Sequence, residues 1–170
     1  MTDKNASIMN IGSMGYLPQV FKKIENEKKL NIVYLGGSIT MGCNATKTEL
    51  RYVDRSAKWW QTNFPDAEIS YFNAGIGATT SQFGVARVQE HVLDKQPDLV
   101  FVEFSVNDSS SPLFMETYES LVRRLLKAES VKAVVLINNL FYDTGANAQG
   151  IHNAIGLHYD LPIISVRNYI

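Results

Sequence analysis

The sequence predicts an α/β fold in which helices cover both faces of one parallel sheet. Five short apolar segments rich in β-branched residues recur along the 170-residue chain, and segments with apolar residues at helical spacing separate them. Parallel strands joined by helices form right-handed crossovers, and these place helices on both faces of the sheet. We therefore expect a three-layer α/β/α sandwich with a five-stranded parallel sheet, formed by residues 1–170 as a single domain.

The predicted elements follow one another in a regular order. Residues 1–15 are polar and are expected to form an irregular N-terminal arm, after which Leu17-Pro18 opens a helix. The apolar runs place strands at residues 32–35, 69–72, 99–104, 131–137 and 162–166. Helical spacing places helices around residues 53–64, 85–92, 114–125 and 146–158. Of the adjacent Trp59 and Trp60, we expect one ring in the core and one at its rim.

Composition and charge exclude several classes of protein. Hydrophobic residues make up 45% of the chain and charged residues 19%, and the formal net charge is −1, so the chain is globular and no nucleic-acid partner is indicated. No apolar run approaches the roughly 20 residues of a membrane span. No signal peptide is recognisable, which indicates a cytoplasmic protein as written, or a secreted or periplasmic one if a signal has been removed. Cys43 is the only cysteine and is expected to be a small buried residue.

Small and polar residues follow each of the first three predicted strands. These clusters are Gly36-Gly37-Ser38, Gly75-Ile76-Gly77-Ala78 and Asn107-Asp108. Because the carboxyl ends of parallel strands share one edge of the sheet, the three clusters should converge there. A serine beside backbone N–H groups and an amide suits acyl transfer, in which the donors stabilise an oxyanion. A phosphate-binding turn is the alternative, but neither G-x-G-x-x-G after the first strand nor G-x-x-x-x-G-K-[ST] occurs.

Residues 36–40, 73–81 and 105–108 resemble, in order and spacing, the first three sequence blocks of the SGNH (GDSL-type) esterase and acylhydrolase superfamily. The resemblance implies a flavodoxin-like SGNH hydrolase fold with Ser38 as the nucleophile. It further implies an oxyanion hole formed by the N–H groups of Ser38 and Ala78 and the amide of Asn107. Ala78 stands where the family has glycine, and its methyl group would be strained if φ is positive.

A second set of candidates comes from the position of residues at the same predicted edge of the sheet. Gly37, Gly77, Asp108 and Asp143 are candidates for lining the pocket. For Asp108 we expect a bracing role in its loop, and for Asp143 a helix-capping role before Ala146. The resemblance implies neither a metal nor a cofactor.

One part of the family pattern has no counterpart in the sequence. The general base of the family comes from an Asp-x-x-His block after the fifth strand, and no Asp-x-x-His occurs here. We expect none of His91, His152 and His158 to reach Ser38. Three explanations stay open: the chain is C-terminally truncated, it is a naturally inactive relative, or a second subunit of a homo-oligomer supplies the histidine. A missing segment should leave an apolar flank uncovered near the last strand.

The resemblance implies a serine esterase that cleaves an acyl ester of a small molecule or a carbohydrate, with an O-acetyl sugar as one substrate class. The alternative is a catalytically incomplete domain that binds its ligand without turnover. A nucleotide-binding doubly wound domain is the third interpretation, and it would require a glycine-rich turn that opens directly into a helix.

Overall fold

A six-stranded sheet lies between two layers of helices in the computed structural model, which describes residues 4–170. The sheet order is β1-β6-β5-β4-β2-β3, and the last five of these strands are parallel. The strands are β1 (Ile8–Asn10), β2 (Lys29–Gly36), β3 (Glu68–Gly75), β4 (Leu99–Glu103), β5 (Ala133–Asn138) and β6 (Ile163–Ser165). The helices are α1 (Leu17–Glu27), α2 (Ser38–Met41), α3 (Tyr52–Asn63), α4 (Ser81–His91), α5 (Pro112–Leu126) and α6 (Gln149–His158). The predicted three-layer α/β/α architecture is confirmed.

The predicted strand count of five is wrong by one strand, because β1 lies in the segment expected to be an irregular arm. It pairs antiparallel with β6, Ile8 opposite Ile164. The Asn10 amide Nδ2 also donates to the carbonyl oxygen of Leu161 (3.0 Å). A three-residue strand is too short to show an alternating pattern, and its partner lies far away in sequence, so no local signal marks it. Residues 1–3 of the predicted arm lie outside the described residues.

Each face of the sheet has its own apolar core. On β2, Ile32 and Tyr34 face the layer formed by α1 and α3, whereas Val33 and Leu35 face the layer formed by α4, α5 and α6. Strands that are buried on both faces have near-continuous apolar sequences. For this reason the apolar segments of the sequence predict the strands. The first core contains Trp60, 5% exposed, and Trp59 is 52% exposed at its rim, as predicted.

The strand register brings the three polar clusters to one edge of the sheet. Gly36, the last residue of β2, lies opposite Gly75 on β3 and Glu103 on β4. A Cβ atom on Gly75 would collide with the backbone nitrogen of Met41, so the absence of a side chain there lets α2 lie directly against β3.

An apolar groove of about 260 Å³ lies beside β6 on the α1/α3 face. Its lining residues are Ile8, Asn10, Ile11, Leu17, Phe21, Trp59, Trp60, Phe101, Val135, Pro162 and Ile164. Ile11 is 77% exposed and Ile164 37% exposed, so this apolar groove is partly open to solvent. Among the helices of residues 4–170, none has both the length and the hydropathy needed to cross a membrane.

Replacing Gly84 with alanine should destabilise the protein by about 1–2 kcal/mol. A Cβ atom at Gly84 would lie 2.7 Å from Cζ of the buried Phe104 ring, and such overpacking outweighs the gain in helix propensity. Gly150→Ala is the matched control, since no atom lies within 4 Å of a Cβ there. Urea denaturation should show a lower midpoint for the first variant and an unchanged or higher one for the second. Equal midpoints would contradict the tight α4–sheet contact.

Candidate active site

Ser38 is the first residue of α2, directly after β2. The strand ends at Gly36, Gly37 turns the chain, and the backbone then forms a single helical turn closed at Gly42, where φ is 99°. Ser38 is partly buried and opens into a cleft of about 440 Å³, which we call the Ser38 cleft. Its lining residues are Ser38, Ile39, Cys43, Asn44, Val106, Asn139, Leu140, Phe141 and Tyr142.

The three clusters that follow β2, β3 and β4 converge beside Ser38. A Cβ atom built on Gly37 would lie 2.6 Å from Oδ1 of Asn107 and 3.3 Å from the carbonyl oxygen of Thr79. Gly37 is therefore in contact with both of the other loops, and a side chain there would displace Asn107. Asn73, at the end of β3, also donates from Nδ2 to the carbonyl oxygen of Thr40 in α2 (2.8 Å).

Three hydrogen-bond donors near Ser38 have no acceptor within residues 4–170. They are the backbone N–H groups of Ser38 and Ala78 and the side-chain Nδ2 of Asn107. The first N–H groups of a helix and the N–H groups of exposed loops have no partner within the chain, so these donors are free to bond water or an external acceptor. A tetrahedral oxyanion is an acceptor of that kind.

Ala78 adopts a left-handed backbone conformation with φ of 57°. This conformation costs a residue with a Cβ atom roughly 1–2 kcal/mol compared with the right-handed region. The sequence predicts strain at Ala78 if its φ is positive, and φ is positive here. The strain is local, because Ala78 is exposed and its methyl group is not forced into the core.

Asp108 links the second and third loops from within the protein. Its Oδ1 accepts a hydrogen bond from the backbone N–H of Ser81 (2.9 Å), and its Oδ2 lies 3.1 Å from Nε2 of His152 on α6. His152 is fully buried and stacks on Tyr118, with ring centroids 3.6 Å apart. Burial lowers the pKa of His152, although the Asp108 carboxylate opposes this, so the ring is neutral near pH 7 and donates from Nε2.

No histidine nitrogen forms a hydrogen bond with Ser38 Oγ in the part of the chain that the structure describes. His152 is fully buried and is held by Asp108. Nδ1 of His91 accepts a hydrogen bond from Nη1 of Arg87 on α4 (3.2 Å), and His158 packs edge-on against Tyr159 at the surface.

Glu103 is a buried carboxyl group that sequence reasoning did not single out. It is the last residue of β4 and is fully inaccessible to solvent, and burial raises its pKa to about 7. Ser105 Oγ lies 3.1 Å from Glu103 Oε1 and 3.0 Å from the carbonyl oxygen of Asn139. The Ser105 hydroxyl has one proton, and the carbonyl oxygen of Asn139 can only accept it. A protonated Glu103 carboxyl can then donate its own proton to Ser105 Oγ, so that both contacts are hydrogen bonds. The sequence signal that could have identified Glu103 is a glutamate at the end of an otherwise apolar strand.

Gly37, Gly77, Ala78, Asn107, Asp108 and Asp143 are not among the residues that line the Ser38 cleft. Gly77 packs against Met41, and Asp143 is exposed and lies outside the lining of the cleft. The predicted helix-capping role of Asp143 is wrong, because α6 begins at Gln149 and its N-cap residue, Ala148, makes no side-chain capping hydrogen bond. Cys43 is exposed and lines the cleft, so its predicted burial is wrong. Within residues 4–170, no group of three or more metal-ligating side chains is placed to hold an ion.

The family follows from a comparison with family models. Residues 34–160 match the model of the GDSL-like lipase/acylhydrolase family, and the chain therefore belongs to that family. The match spans the Ser38 turn, the Asn73–Ser81 segment and Asn107. A search of curated proteins returned no match.

Solved structures add more particular similarities. A two-domain esterase (CEX) active on acetylated mannans aligns with a TM-score of 0.94 and 48% identity, over 96% of this chain and 44% of that one. The structure of a two-domain esterase (CEX) co-crystallised with mannopentaose aligns equally well, over 45% of its length. This chain thus spans less than half the length of these esterases. The acetylxylan esterase Axe2 from Geobacillus stearothermophilus, at 19% identity and a TM-score of 0.65 over 79% of this chain and 74% of its own, shares the fold.

Ala78→Gly should raise the free energy of unfolding by about 0.5–1 kcal/mol. Glycine adopts φ of 57° without a steric penalty, and this gain exceeds its larger entropy in the unfolded chain. The reverse change is the control: Gly145 has φ of 67° and no atom within 4 Å of a Cβ, so Gly145→Ala should cost about 1 kcal/mol. Urea denaturation measures both, and a less stable Ala78→Gly variant would argue against backbone strain at this loop.

Glu103 should make stability decrease as the pH rises from about 4.5 to about 7. The pKa of this carboxyl lies above its usual value in the folded state, so the folded protein retains a proton that the unfolded chain releases in this range. The loss should be on the order of 2–3 kcal/mol, and Glu103→Gln should abolish it. Denaturation curves between pH 4 and pH 8 test this, with exposed Glu129→Gln as the control that keeps the wild-type slope. A Glu103→Gln variant with the wild-type slope would rule out a buried neutral carboxyl.

Proposed function

We propose that this protein is a serine-dependent carboxylic ester hydrolase in which Ser38 is the nucleophile. The observation that carries the proposal is the set of unpartnered donors, Ser38 N, Ala78 N and Asn107 Nδ2, on three loops that meet at Gly37. Membership of the GDSL-like lipase/acylhydrolase family supports the same chemistry.

In the proposed reaction, Ser38 Oγ attacks the ester carbonyl carbon while a general base accepts the hydroxyl proton. The carbonyl oxygen becomes an oxyanion that receives hydrogen bonds from Ser38 N, Ala78 N and Asn107 Nδ2. Collapse of the tetrahedral intermediate breaks the bond to the alcohol oxygen, which takes the proton from the base and leaves an acyl-Ser38. Water then attacks the acyl group with the same base, and the acid and free Ser38 are released.

The general base in this proposal is a histidine supplied from outside the 170-residue sequence. The support is that His91, His152 and His158 each have other neighbours and none is bonded to Ser38 Oγ in residues 4–170. Serine is a weak nucleophile at its ordinary pKa and requires such a base. The Ser38 cleft has a volume of about 440 Å³, and Phe141 and Tyr142 on its wall are exposed, so another segment or subunit could approach the nucleophile.

We propose an O-acetylated carbohydrate as the substrate class. The two-domain esterase that is 48% identical to this chain is active on acetylated mannans, which supports the proposal for the corresponding domain here. Phe141 and Tyr142 are 50% and 77% exposed on the cleft wall, where aromatic faces can stack on sugar rings.

A ligand-binding domain without turnover is the second candidate, favoured by the absence of a histidine beside Ser38 in the described residues. A serine-directed phosphonate probe distinguishes the two candidates. Labelling of Ser38 in the full-length protein supports the hydrolase, and a cleft that binds sugar but resists labelling supports the binding domain.

Ser38→Ala should lower the rate of 4-nitrophenyl acetate hydrolysis by the full-length protein at least about a thousand-fold, because it removes the atom that attacks the carbonyl. Ser120→Ala is the control, since Ser120 is an exposed residue of α5 on the helical layer. Equal rates for wild type and Ser38→Ala would sink the assignment of the nucleophile.

The full-length protein should release acetate from acetylated mannan, and the Ser38→Ala variant should not. Acetate is measured directly, with chemically deacetylated mannan as the blank. Hydrolysis of the nitrophenyl ester without acetate release from the polysaccharide would leave the esterase proposal in place and reject the carbohydrate substrate.

A further inference from the structure

Arg87 is a buried cation beside the ends of β2 and β3, the two strands that lead to Ser38 and Ala78. It lies on α4 and is only 6% exposed. Its Nη1 donates to the carbonyl oxygen of Ala74 (2.7 Å) and its Nη2 to that of Gly36 (3.1 Å). Gly36 ends β2 two residues before Ser38, and Ala74 lies on β3 four residues before Ala78.

No carboxylate compensates this charge within residues 4–170. The other neighbours of the guanidinium are Nδ1 of His91 at 3.2 Å and the Phe83 ring, whose centroid lies 5.8 Å from Cζ. Its Nε is buried without a hydrogen-bond partner. A buried charge without a counter-ion is costly, so carbonyl oxygens must supply most of its stabilisation. A neutral apolar side chain would fill the same space without this cost.

The guanidinium is suited to fixing two main-chain segments at a set separation. It is planar and rigid, and its two terminal nitrogens donate in fixed directions, unlike the single ammonium group of lysine. The carbonyl oxygen of Gly36 also accepts from the N–H of Ile76 (3.1 Å), so Arg87 reinforces a junction between the two loops. Asp108 joins the second loop to the third through Ser81. Arg87 adds a buried side-chain link between the first and second loops to the hydrogen bonds that Ile76 N and Asn73 Nδ2 already make there.

We propose that Arg87 is a positioning residue of the oxyanion hole, since it fixes the main chain before Ser38 and before Ala78 through the carbonyl oxygens of Gly36 and Ala74. The inference rests on the proposed hydrolase function. The residue touches neither substrate nor reacting atoms, and its positive charge has the sign that favours an oxyanion at the adjoining loops. Loss of the two guanidinium hydrogen bonds should move the N–H groups of Ser38 and Ala78 away from the oxyanion of the transition state. Substrate binding in the Ser38 cleft should remain largely intact.

The test compares Arg87→Met and Arg87→Lys with Leu125→Ala in the full-length protein. Leu125 is a fully buried residue of α5, and its truncation lowers stability without touching the strand ends. Hydrolysis of 4-nitrophenyl acetate gives kcat and KM below the melting temperature of each variant. We expect kcat of Arg87→Met to fall about 10- to 100-fold with KM changed less than threefold, and Arg87→Lys to lie between it and wild type.

Hydrogen exchange provides a readout that does not depend on activity. Peptides covering residues 36–42 and 74–79 should exchange faster in Arg87→Met than in Leu125→Ala at matched stability. If Arg87→Met does not fold, Arg87→Lys carries both measurements, with a smaller drop in kcat and faster exchange at the same peptides.

Two results would overturn the inference: a kcat of the Arg87 variants equal to that of Leu125→Ala, or faster exchange spread evenly over the domain. An inactive wild type would instead reject the hydrolase proposal, and the exchange measurement would still decide whether Arg87 fixes the two loops.

Discussion

The parallel pairing of β2 with both of its neighbours is the constraint on which the candidate site depends. Gly36 lies opposite Gly75 on one side and Glu103 on the other, so three strands end at the same level. The loops that follow begin at one edge and need only a few residues to meet at Gly37. A shift of one residue in either pairing would move Ala78 or Asn107 by about 3.3 Å along its strand, farther than a hydrogen bond tolerates.

The site collects several locally unfavourable features within a well-packed frame. Ala78 has a left-handed backbone, Glu103 is a buried carboxyl group, and Arg87 is a buried cation without a counter-ion. Each costs free energy by itself, and the two apolar cores provide the stability that tolerates them. Under the proposal for Arg87, buried side chains behind the loops, rather than the loops themselves, determine where the donors lie. Asp108, which His152 contacts, links the third loop to the second through the N–H of Ser81.

Much of this architecture could be predicted from the sequence because its signals are local. The run from Leu99 to Phe104 predicts a buried strand from apolar character alone, and Ser38, Ala78 and Asn107 follow strands at the positions that the family pattern requires. The convergence of these residues could be predicted because parallel strands end on one edge. The partners of single polar side chains could not, since these depend on tertiary contacts.

Arg87 and His152 illustrate the limit. Arg87 bonds to Gly36, which is 51 residues away, and His152 bonds to Asp108, which is 44 residues away. No rule of sequence spacing or periodicity predicts either pair. From the sequence alone, both residues look like ordinary polar residues of a helix. β1 was missed for a similar reason: three residues carry no period, and the strand exists only because β6 offers an edge.

The antiparallel strand β1 also affects the order in which the strands pair while the chain is being synthesised. Ile8 pairs with Ile164, so among the described strands β1 is synthesised before the others and β6, its partner, after them. Until residue 164 has emerged, the segment around β1 has no edge to join, and β2, β3 and β4 can assemble without it. Since closing so long a loop is slow compared with local contacts, addition of β1 is expected to be a late step of folding. A ribosome that stalls before residue 164 would hold a nascent chain whose Ser38 region can form while its sheet edge stays open.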